Sequence, residues 1–207
     1  MRPGAVTALV AAGALSCLSR PALVPQLFTL ESPPERAGSP AGRGRAVAVR
    51  RVTVAAPFEG RELVYRTGAY RLERDPYASL VAAPAALLAD AVRAHLRQAG
   101  FVREAADSSE APAPALPMDV DLRELSGDFV HSEQPAAVIV VAFEVSSAGG
   151  ASPLFRKVYA RRTILSHRTA DALVTAWNAE LADVLAELER DLDAALRRSA
   201  PLGSSAQ

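Results

Sequence analysis

The chain has 207 residues, half of them hydrophobic, and it carries 23 basic and 23 acidic residues. This length accommodates one domain with flanking segments. The formal net charge of zero argues against general nucleic-acid binding, because contacts with phosphates need a basic surface. The single cysteine excludes a disulfide framework within the chain and a multi-cysteine metal site. Because aromatic residues make up only 5% of the chain, we expect a core of Ala, Val and Leu.

The N-terminal segment has the order of an export signal. Arg2 precedes a short apolar run over 6–15, which is too short to span a bilayer. The run leads to Cys17, and this segment resembles a bacterial lipoprotein signal, in which cleavage before the cysteine leaves a lipidated N-terminus. The resemblance implies lipid attachment at Cys17, and Leu18 in place of an aspartate implies the outer membrane. Ordinary signal cleavage and a buried thiol are the alternatives.

Composition divides the chain into four predicted parts. These are a lipoprotein signal peptide over 1–16, a lipidated N-terminus and flexible tether over 17–45, a single α/β domain over 46–198, and a disordered tail over 199–207. The tether is rich in proline and glycine after its first half and has no apolar periodicity there that could be buried. A short strand is expected within it, near 27–30.

The first half of the domain is predicted as a strand, a hairpin and a helix. Residues 46–54 are β-branched and partly alternating, as is typical of a strand. The two hairpin strands are expected to meet at Thr67-Gly68, where the glycine would supply the positive φ of a tight turn. The helix is expected to begin at Pro84, with Gly100 placed to cap its end.

The second half of the domain is predicted to contain three antiparallel strands, after a short strand at 101–103 and a loop at 107–117. Alternation over 118–125 indicates a strand with one wet face. The nearly continuous apolar run over 136–145 indicates a central strand covered on both faces. Residues 154–165 supply the third strand of this set.

A long C-terminal helix closes the domain. Thr169 is the expected N-cap, and an apolar stripe then repeats at helical spacing, with Glu180 among the acidic residues on the outer side. We expect this stripe to pack on the sheet, and a coiled-coil seam is the alternative. Helices on one face of a mostly antiparallel sheet define an α/β (α+β) two-layer sandwich.

The sequence contains no motif that indicates catalysis, metal binding or a cofactor. His95, His131 and His167 lack the i+3 or i+4 spacing of metal ligands, and His95 is expected at the boundary of the first helix's apolar stripe. Asp119 and Asp121 would share one strand face, and paired carboxylates are the arrangement that a hydrolase uses. An alternating strand places polar groups on its wet face by default, so we predict no catalytic residue there.

Several segments occur in a characteristic order along the chain. They are 28–30, 49–54, 57–66, 70–72, 75–77 and the closing-helix segment 172–181. Together they resemble the ABC-type transport auxiliary lipoprotein family, which includes the PqiC-like lipoproteins. The resemblance covers most of 27–196. It departs from the family pattern at 78–81, where relatives often carry a tryptophan ahead of the first helix and this chain reads Ala-Ser-Leu-Val.

The resemblance implies a non-enzymatic subunit of an MCE-type system that moves phospholipids or related lipids between inner and outer membranes. Its partners would be a substrate-binding MCE protein, a permease and an ATPase, and the ATPase would supply the energy. The chain itself would need no cofactor and would lie on the periplasmic face of its membrane, where it could also form a homo-oligomer. The rival interpretation is a structural or assembly lipoprotein that braces an envelope complex without handling lipid.

The candidate partner-contacting residues are arginines and tyrosines of the hairpin region, because both residue types are enriched in protein interfaces. They are Arg61, Tyr65, Arg66, Tyr70 and Tyr77. In the alternative interpretation, the tyrosines pack inside the domain and the arginines are simply solvated.

Overall fold

Eight strands and two long helices make up the part of the chain that the structure describes, residues 24–31, 44–131, 133–149 and 153–199. The structure is a computed structural model. Cys17, the predicted signal peptide and the C-terminal tail from residue 200 lie outside the described residues. The same holds for residues 32–43 of the predicted tether.

The elements follow the predicted order along the chain. The strands are β1 (Gln26–Phe28), β2 (Arg45–Val54), β3 (Glu62–Gly68), β4 (Arg71–Leu80), β5 (Val102–Asp107), β6 (Ala115–Asp128), β7 (Ala136–Ser146) and β8 (Pro153–Ile164). The helices are α1 (Pro84–Gln98), between β4 and β5, and α2 (Ala170–Ser199), after β8. A single 3₁₀ turn, Ala56–Phe58, separates β2 from β3 in the described chain.

Strand β6 lies at the centre of the sheet. Along one edge it pairs with β7, antiparallel, from Met118 opposite Val145 onward. Along the other edge it pairs in parallel first with β2 and then, near its end, with β3 through Tyr65 opposite Gly127. Strand β8 lies beyond β7, β5 lies beyond β2, and β4 followed by β1 lies beyond β3.

The predicted α/β two-layer class is confirmed, and the sheet proves to be mixed. The pairings β3–β4, β6–β7 and β7–β8 are antiparallel, as expected for neighbours in sequence. Parallel pairings join β2 to β5 and to β6, β3 to β6, and β1 to β4. Helix α1 packs on β2 and β5, and α2 packs on β7 and β8, so both helices cover the same face.

Helix α2 supplies much of the core. Its stripe of fully buried side chains consists of Leu173, Trp177, Leu181, Val184, Leu185, Leu188 and Leu192. Each such aliphatic side chain contributes about 1.5–3 kcal/mol relative to exposure. The backbone N–H of Ala172 donates to Thr169 Oγ1 at 3.2 Å, which confirms the predicted N-cap. The stripe packs on the sheet within the described chain, so the coiled-coil alternative is not needed.

Two predicted chain reversals differ in detail from the structure. The hairpin turns at Ala69-Tyr70, because Gly68 is the last residue of β3 and pairs with Arg71. Gly68 therefore belongs to the ladder and is not a turn residue. Helix α1 ends at Gln98, and its cap is Ala99 instead of the predicted Gly100. Ala99 is extended (φ −73°, ψ 121°), and its N–H donates to the Leu96 carbonyl. Gly100 lies beyond this cap.

Strand β7 was predicted to be covered on both faces, and this prediction is wrong for one of them. The face toward the helices is buried, with Ile139, Val141 and Phe143 at 1% exposure or less. On the opposite face Val138 and Val140 are only half-buried, because no helix covers them. The apolar run therefore reflects an interior strand, paired on both edges, whose second face is open.

The first helix contains a further correction. His95 was expected at the boundary of the apolar stripe, yet it is 4% exposed. Its Nε2 lies 3.0 Å from Oε2 of Glu189, a residue of α2. The histidine thus joins the two helices where they meet above the sheet, a contact that the pattern of α1 alone could not reveal.

Candidate partner-binding surface

The hairpin β3–β4 is attached to the sheet by Tyr65. Its ring stacks on that of Phe129, which follows β6, with ring centroids 4.9 Å apart. Its hydroxyl donates to Asp75 Oδ2 at 2.6 Å. Burial first, and then this hydrogen bond, raise the pKa of Tyr65 far above its usual range. Tyr65 is therefore half-buried and fully engaged within the domain.

Both hairpin arginines also contact the domain itself. Arg61 donates from Nε to the Leu80 carbonyl at 2.8 Å, across the β3–β4 ladder. Arg66 Nη2 lies 3.2 Å from Glu124 Oε1, which also accepts a hydrogen bond from the Ser126 hydroxyl. These contacts hold the hairpin in place and leave less of each guanidinium for a partner.

The remaining two candidates, Tyr70 and Tyr77, are exposed but do not share a surface. Tyr70 occupies the turn at the tip of the hairpin and is fully exposed. Tyr77 lies seven residues further along β4, where Asp75 Oδ1 accepts its backbone N–H at 2.8 Å. At roughly 3.3 Å per residue, the two side chains are on the order of 20 Å apart.

Tyr70 lies at one end of the sheet together with other exposed apolar side chains. We define the hairpin-end surface as Tyr70, Leu72 and Val130, all of which are exposed. The Phe129 N–H donates to the Arg66 carbonyl at 2.8 Å, and this bond joins the hairpin to the segment that carries Val130. Behind this surface the guanidinium of Arg168 lies over the Phe129 ring, 4.7 Å from its centroid.

The open sheet face, which lies opposite the helices, is covered by paired charges. Its ion pairs are Arg50–Asp119, Arg123–Asp121, Arg156–Glu144, Arg66–Glu124 and Arg162–Asp128. Small apolar residues such as Val140 and Val158 lie between them. Exposed pairs of this kind contribute only about 0–1 kcal/mol each. Their effect is to give the face alternating charge without an excess of either sign.

Asp119 and Asp121 do share the wet face of β6, as their spacing indicates. They line a depression of about 360 Å³ together with Arg51, Arg123 and Arg156. Asp119 is bonded to Arg50, and Asp121 accepts from Thr53 Oγ1 at 3.0 Å and from Arg123 Nε at 2.9 Å. Both carboxylates are therefore engaged by neighbouring donors on the same face.

A polar cluster fastens α2 to the edge strand β8. Lys157 Nζ lies 2.7 Å from Glu187 Oε1 and 2.7 Å from Asp191 Oδ2. Tyr159 donates its hydroxyl to the same Asp191 oxygen at 2.8 Å, and Arg161 pairs with Glu187. The hydrogen bond from Lys157 is the main reason why the pKa values of Glu187 and Asp191 lie below their usual range.

Glu180 was expected on the outer side of α2, and the structure shows that it is buried, with 3% exposure. Neither carboxylate oxygen has a partner in hydrogen-bonding geometry, although Thr163 and Arg161 lie near enough to favour the charged form. Burial outweighs both and raises the pKa of Glu180 to about 7. Its position, three residues after Trp177 and four before Val184, both of them buried, was the signal in the sequence for an inward orientation.

Sequence reasoning also missed a group of exposed apolar residues beside β1. Leu27 and Phe28 are adjacent, and only one of two adjacent strand residues can face the core. Phe28 packs against the core, and Leu27 is 58% exposed. The adjacent Leu27 and Phe28 are visible in the sequence. Because this strand was predicted to lie within a flexible tether, strand alternation was not used to predict which of the two is exposed.

The described residues show neither a metal site nor a membrane-spanning helix. Within ranges 24–31, 44–131, 133–149 and 153–199, no group of three or more His, Cys, Asp or Glu side chains is arranged to hold a metal ion. None of the helices in these ranges combines the length and the apolar character needed to cross a bilayer.

The fold is shared with solved structures of low sequence identity. A crystal structure of a DUF330 family protein from Xanthomonas campestris superposes with a TM-score of 0.72 at 15% identity, covering 84% of this chain and 99% of that chain. A second crystal structure, of an uncharacterized protein, gives a TM-score of 0.66 at 15% identity, with 82% and 99% coverage. No curated protein matches the sequence.

These likenesses define the class of protein as a two-layer α/β domain with a mixed sheet and one open face. The family model described as ABC-type transport auxiliary lipoprotein component matches residues 28–189, which is most of the chain. The chain belongs to this family. Membership makes it an auxiliary lipoprotein of the cell envelope that is associated with an ABC-type transport system.

Proposed function

We propose that this lipoprotein is a membrane-anchored, non-catalytic adaptor of an MCE-type ABC transport system that moves phospholipids or related lipids between the inner and outer membranes. The observation that carries the proposal is the family match over 28–189, which runs from β1 into α2. The sequence resemblance supports the lipid cargo, the MCE-type partner and the outer-membrane location. An MCE protein, a permease and an ATPase are the proposed partners.

The proposed anchor is Cys17, which becomes the mature N-terminus and carries acyl chains. Each buried CH₂ group contributes about 0.8 kcal/mol to membrane binding, so several chains on one residue hold a folded domain firmly at the bilayer. In this arrangement the adaptor needs no membrane-spanning segment of its own. It remains on the periplasmic face of the membrane, where the lipid substrate has to pass.

The proposed contact with a protein subunit of the system is the hairpin-end surface. It presents Tyr70 in full exposure beside two aliphatic side chains, and tyrosine combines apolar area with a polar tip. The Tyr65–Phe129 stack fixes the hairpin in advance, which lowers the entropy cost of forming an interface. Arg61, Tyr65 and Arg66 are therefore assigned to positioning the hairpin, and Tyr70 to the contact itself.

Co-purification from the native membrane tests this function. The full-length chain with a C-terminal tag is extracted in mild detergent, and its partners are identified by mass spectrometry. We expect an MCE protein, a permease and an ATPase, and we expect the double variant Tyr70→Ala, Leu72→Ala to lose them. Val158→Ala is the matched control, because Val158 is a similarly exposed aliphatic residue on the open sheet face.

The same experiment separates the proposal from its rival. A complex that contains envelope proteins but none of the three transport subunits would favour a structural or assembly lipoprotein. If all three subunits are recovered with the double variant as efficiently as with the unaltered chain, the hairpin-end surface is not the contact, although the adaptor role remains.

A further inference from the structure

A group of exposed apolar side chains lies near Val24, the first residue that the structure describes. Val24 is 82% exposed, Leu27 58%, Tyr77 51% and Val81 46%. Leu27 lies opposite Ser79 in the parallel β1–β4 pair, and the Val81 N–H continues this ladder by donating to the Phe28 carbonyl at 2.8 Å. We call these four residues the β1–β4 apolar edge.

Strand alternation places this edge on the outside of the domain. Ala78 and Leu80 are buried, at 3% and 2% exposure, so their neighbours Tyr77 and Val81 face away from the core. Leu27 has the same orientation, because its partner Ser79 lies between the two buried residues in sequence. An exposed apolar group of this kind, rimmed by polar residues, is typical of an interaction surface.

The length of the chain between Cys17 and Val24 limits which surface the edge can meet. Seven residue steps separate Cys17 from Val24, and they span at most about 25 Å when fully extended. A chain of this size folds into a body with a radius of gyration of about 17 Å, which is on the order of 40 Å across. This link is therefore shorter than the domain is wide, and the end of the domain at which Val24 lies must be near the anchoring membrane.

We propose that the β1–β4 apolar edge rests on the bilayer in which Cys17 is anchored, with Leu27, Tyr77 and Val81 in the headgroup region. This inference rests on the acylation of Cys17 in the proposed function. Tyrosine favours the membrane–water interface, where its ring is apolar and its hydroxyl stays hydrated. Aliphatic neighbours add buried apolar area to the same contact.

The polar groups around the edge are already bonded within the domain, so an approach to lipid does not leave them without partners. Arg61 donates to the Leu80 carbonyl at 2.8 Å, and Glu62 lies 3.3 Å from Arg74 Nη1. Asp75 accepts from the Tyr65 hydroxyl at 2.6 Å and from backbone N–H groups. The contact is thus predicted to need no anionic lipid.

Spin labels in the lipidated full-length protein test this orientation. Leu27→Cys and Val81→Cys each introduce a free thiol, and Val158→Cys on the open sheet face is the control. Acylated Cys17 does not react with the label, because its sulfur is held in a thioether. The protein is reconstituted into phosphatidylcholine vesicles. For each label we measure two collision rates, one with oxygen, which concentrates in lipid, and one with a water-soluble nickel complex. The ratio of the two rates reports whether the label lies in lipid or in water.

We expect the oxygen-to-nickel ratio to rise several-fold at positions 27 and 81 on reconstitution, and to stay low at 158. If all three positions behave alike while mass spectrometry shows acyl chains on Cys17, the orientation is overturned and the anchor stands. Labels at 27 and 81 that are shielded from both reagents would show that protein covers the edge, which also overturns the inference. An unmodified Cys17 would overturn the anchor and the inference together.

Discussion

The ring of Tyr65 lies on the ring of Phe129, with 4.9 Å between centroids and 15° between planes. This contact ties the β3–β4 hairpin to the end of β6, the central strand. We therefore expect Tyr65→Ala to destabilise the domain by roughly 2–3 kcal/mol, since stacking, burial and a hydrogen bond are lost together. Tyr65→Phe removes only the bond to Asp75 and should cost about 1–2 kcal/mol.

Urea denaturation followed by the fluorescence of the buried Trp177 measures both variants. Tyr70→Ala is the matched control, because the same residue type is fully exposed five positions later, and its effect should stay within about 0.5 kcal/mol. Equal losses for Tyr65→Ala and Tyr70→Ala would contradict the distinction between a positioning and a contacting tyrosine.

Gly127 lies beneath the same stack, and a larger residue does not fit there. A Cβ at this position would lie 3.0 Å from Tyr65 Cδ1, 3.1 Å from Phe129 Cζ and 3.2 Å from Leu173 Cδ2. We expect Gly127→Ala to destabilise the domain by about 1–3 kcal/mol, because two rings and a leucine of α2 must move. Gly149→Ala meets nothing within 4 Å and serves as the control. Thermal unfolding by circular dichroism compares them.

Glu180 should make the domain less stable at alkaline than at mildly acidic pH. The folded protein holds this proton up to about pH 7, whereas an exposed glutamate releases it near 4.5. Between these values the folded state binds more protons than the unfolded state, so stability falls as the pH rises. The loss builds up between pH 4.5 and about 7 and totals about 3 kcal/mol.

Glu180→Gln removes this titration. We expect the variant to be more stable than the unaltered chain at pH 8 and to show a flatter pH profile between pH 5 and 8. Glu133→Gln provides a control at an exposed glutamate. If the pH profiles of Glu180→Gln and the unaltered chain coincide, Glu180 is not protonated in the folded state.

The Lys157 cluster should have the opposite pH dependence. The pKa of Asp191 lies below its ordinary value of 3.8, chiefly because Lys157 donates to it. As the pH falls, the Asp191 carboxylate therefore takes up its proton in the unfolded chain before it does so in the folded protein. The stability that this cluster contributes is lost as the pH falls below 3.8. Lys157→Met should reduce this acid sensitivity, which urea titrations at pH 3 and pH 6 would measure.

Local patterns predicted most of the elements correctly. The stepping of Leu173, Trp177, Leu181 and Leu188 by four or seven residues indicates α2, because a helix brings such positions onto one face. Alternation along β6 indicated its wet face, on which Asp121 indeed lies. These predictions succeed because period and burial are properties of a single element.

The parallel pairings could not be predicted in the same way. Strand β2 lies between β5 and β6, and both of these strands are distant from β2 in sequence. Which strands become neighbours therefore depends on the whole fold. The candidate surface was limited for a similar reason. Tyr65 is engaged within the domain because its ring stacks on Phe129, which is distant in sequence. Residue type alone favours Tyr65 and Tyr70 equally as partner contacts.

The mass of the mature N-terminus tests the central claim most directly, because both the adaptor role and the orientation on the bilayer depend on the anchor. The full-length chain, purified from native membranes, is digested, and its N-terminal peptide is measured by mass spectrometry. We predict a peptide that begins at Cys17 and carries acyl chains, and a Cys17→Ser variant that lacks them. A peptide with an unmodified cysteine, from protein that is not bound to membranes, would contradict the account.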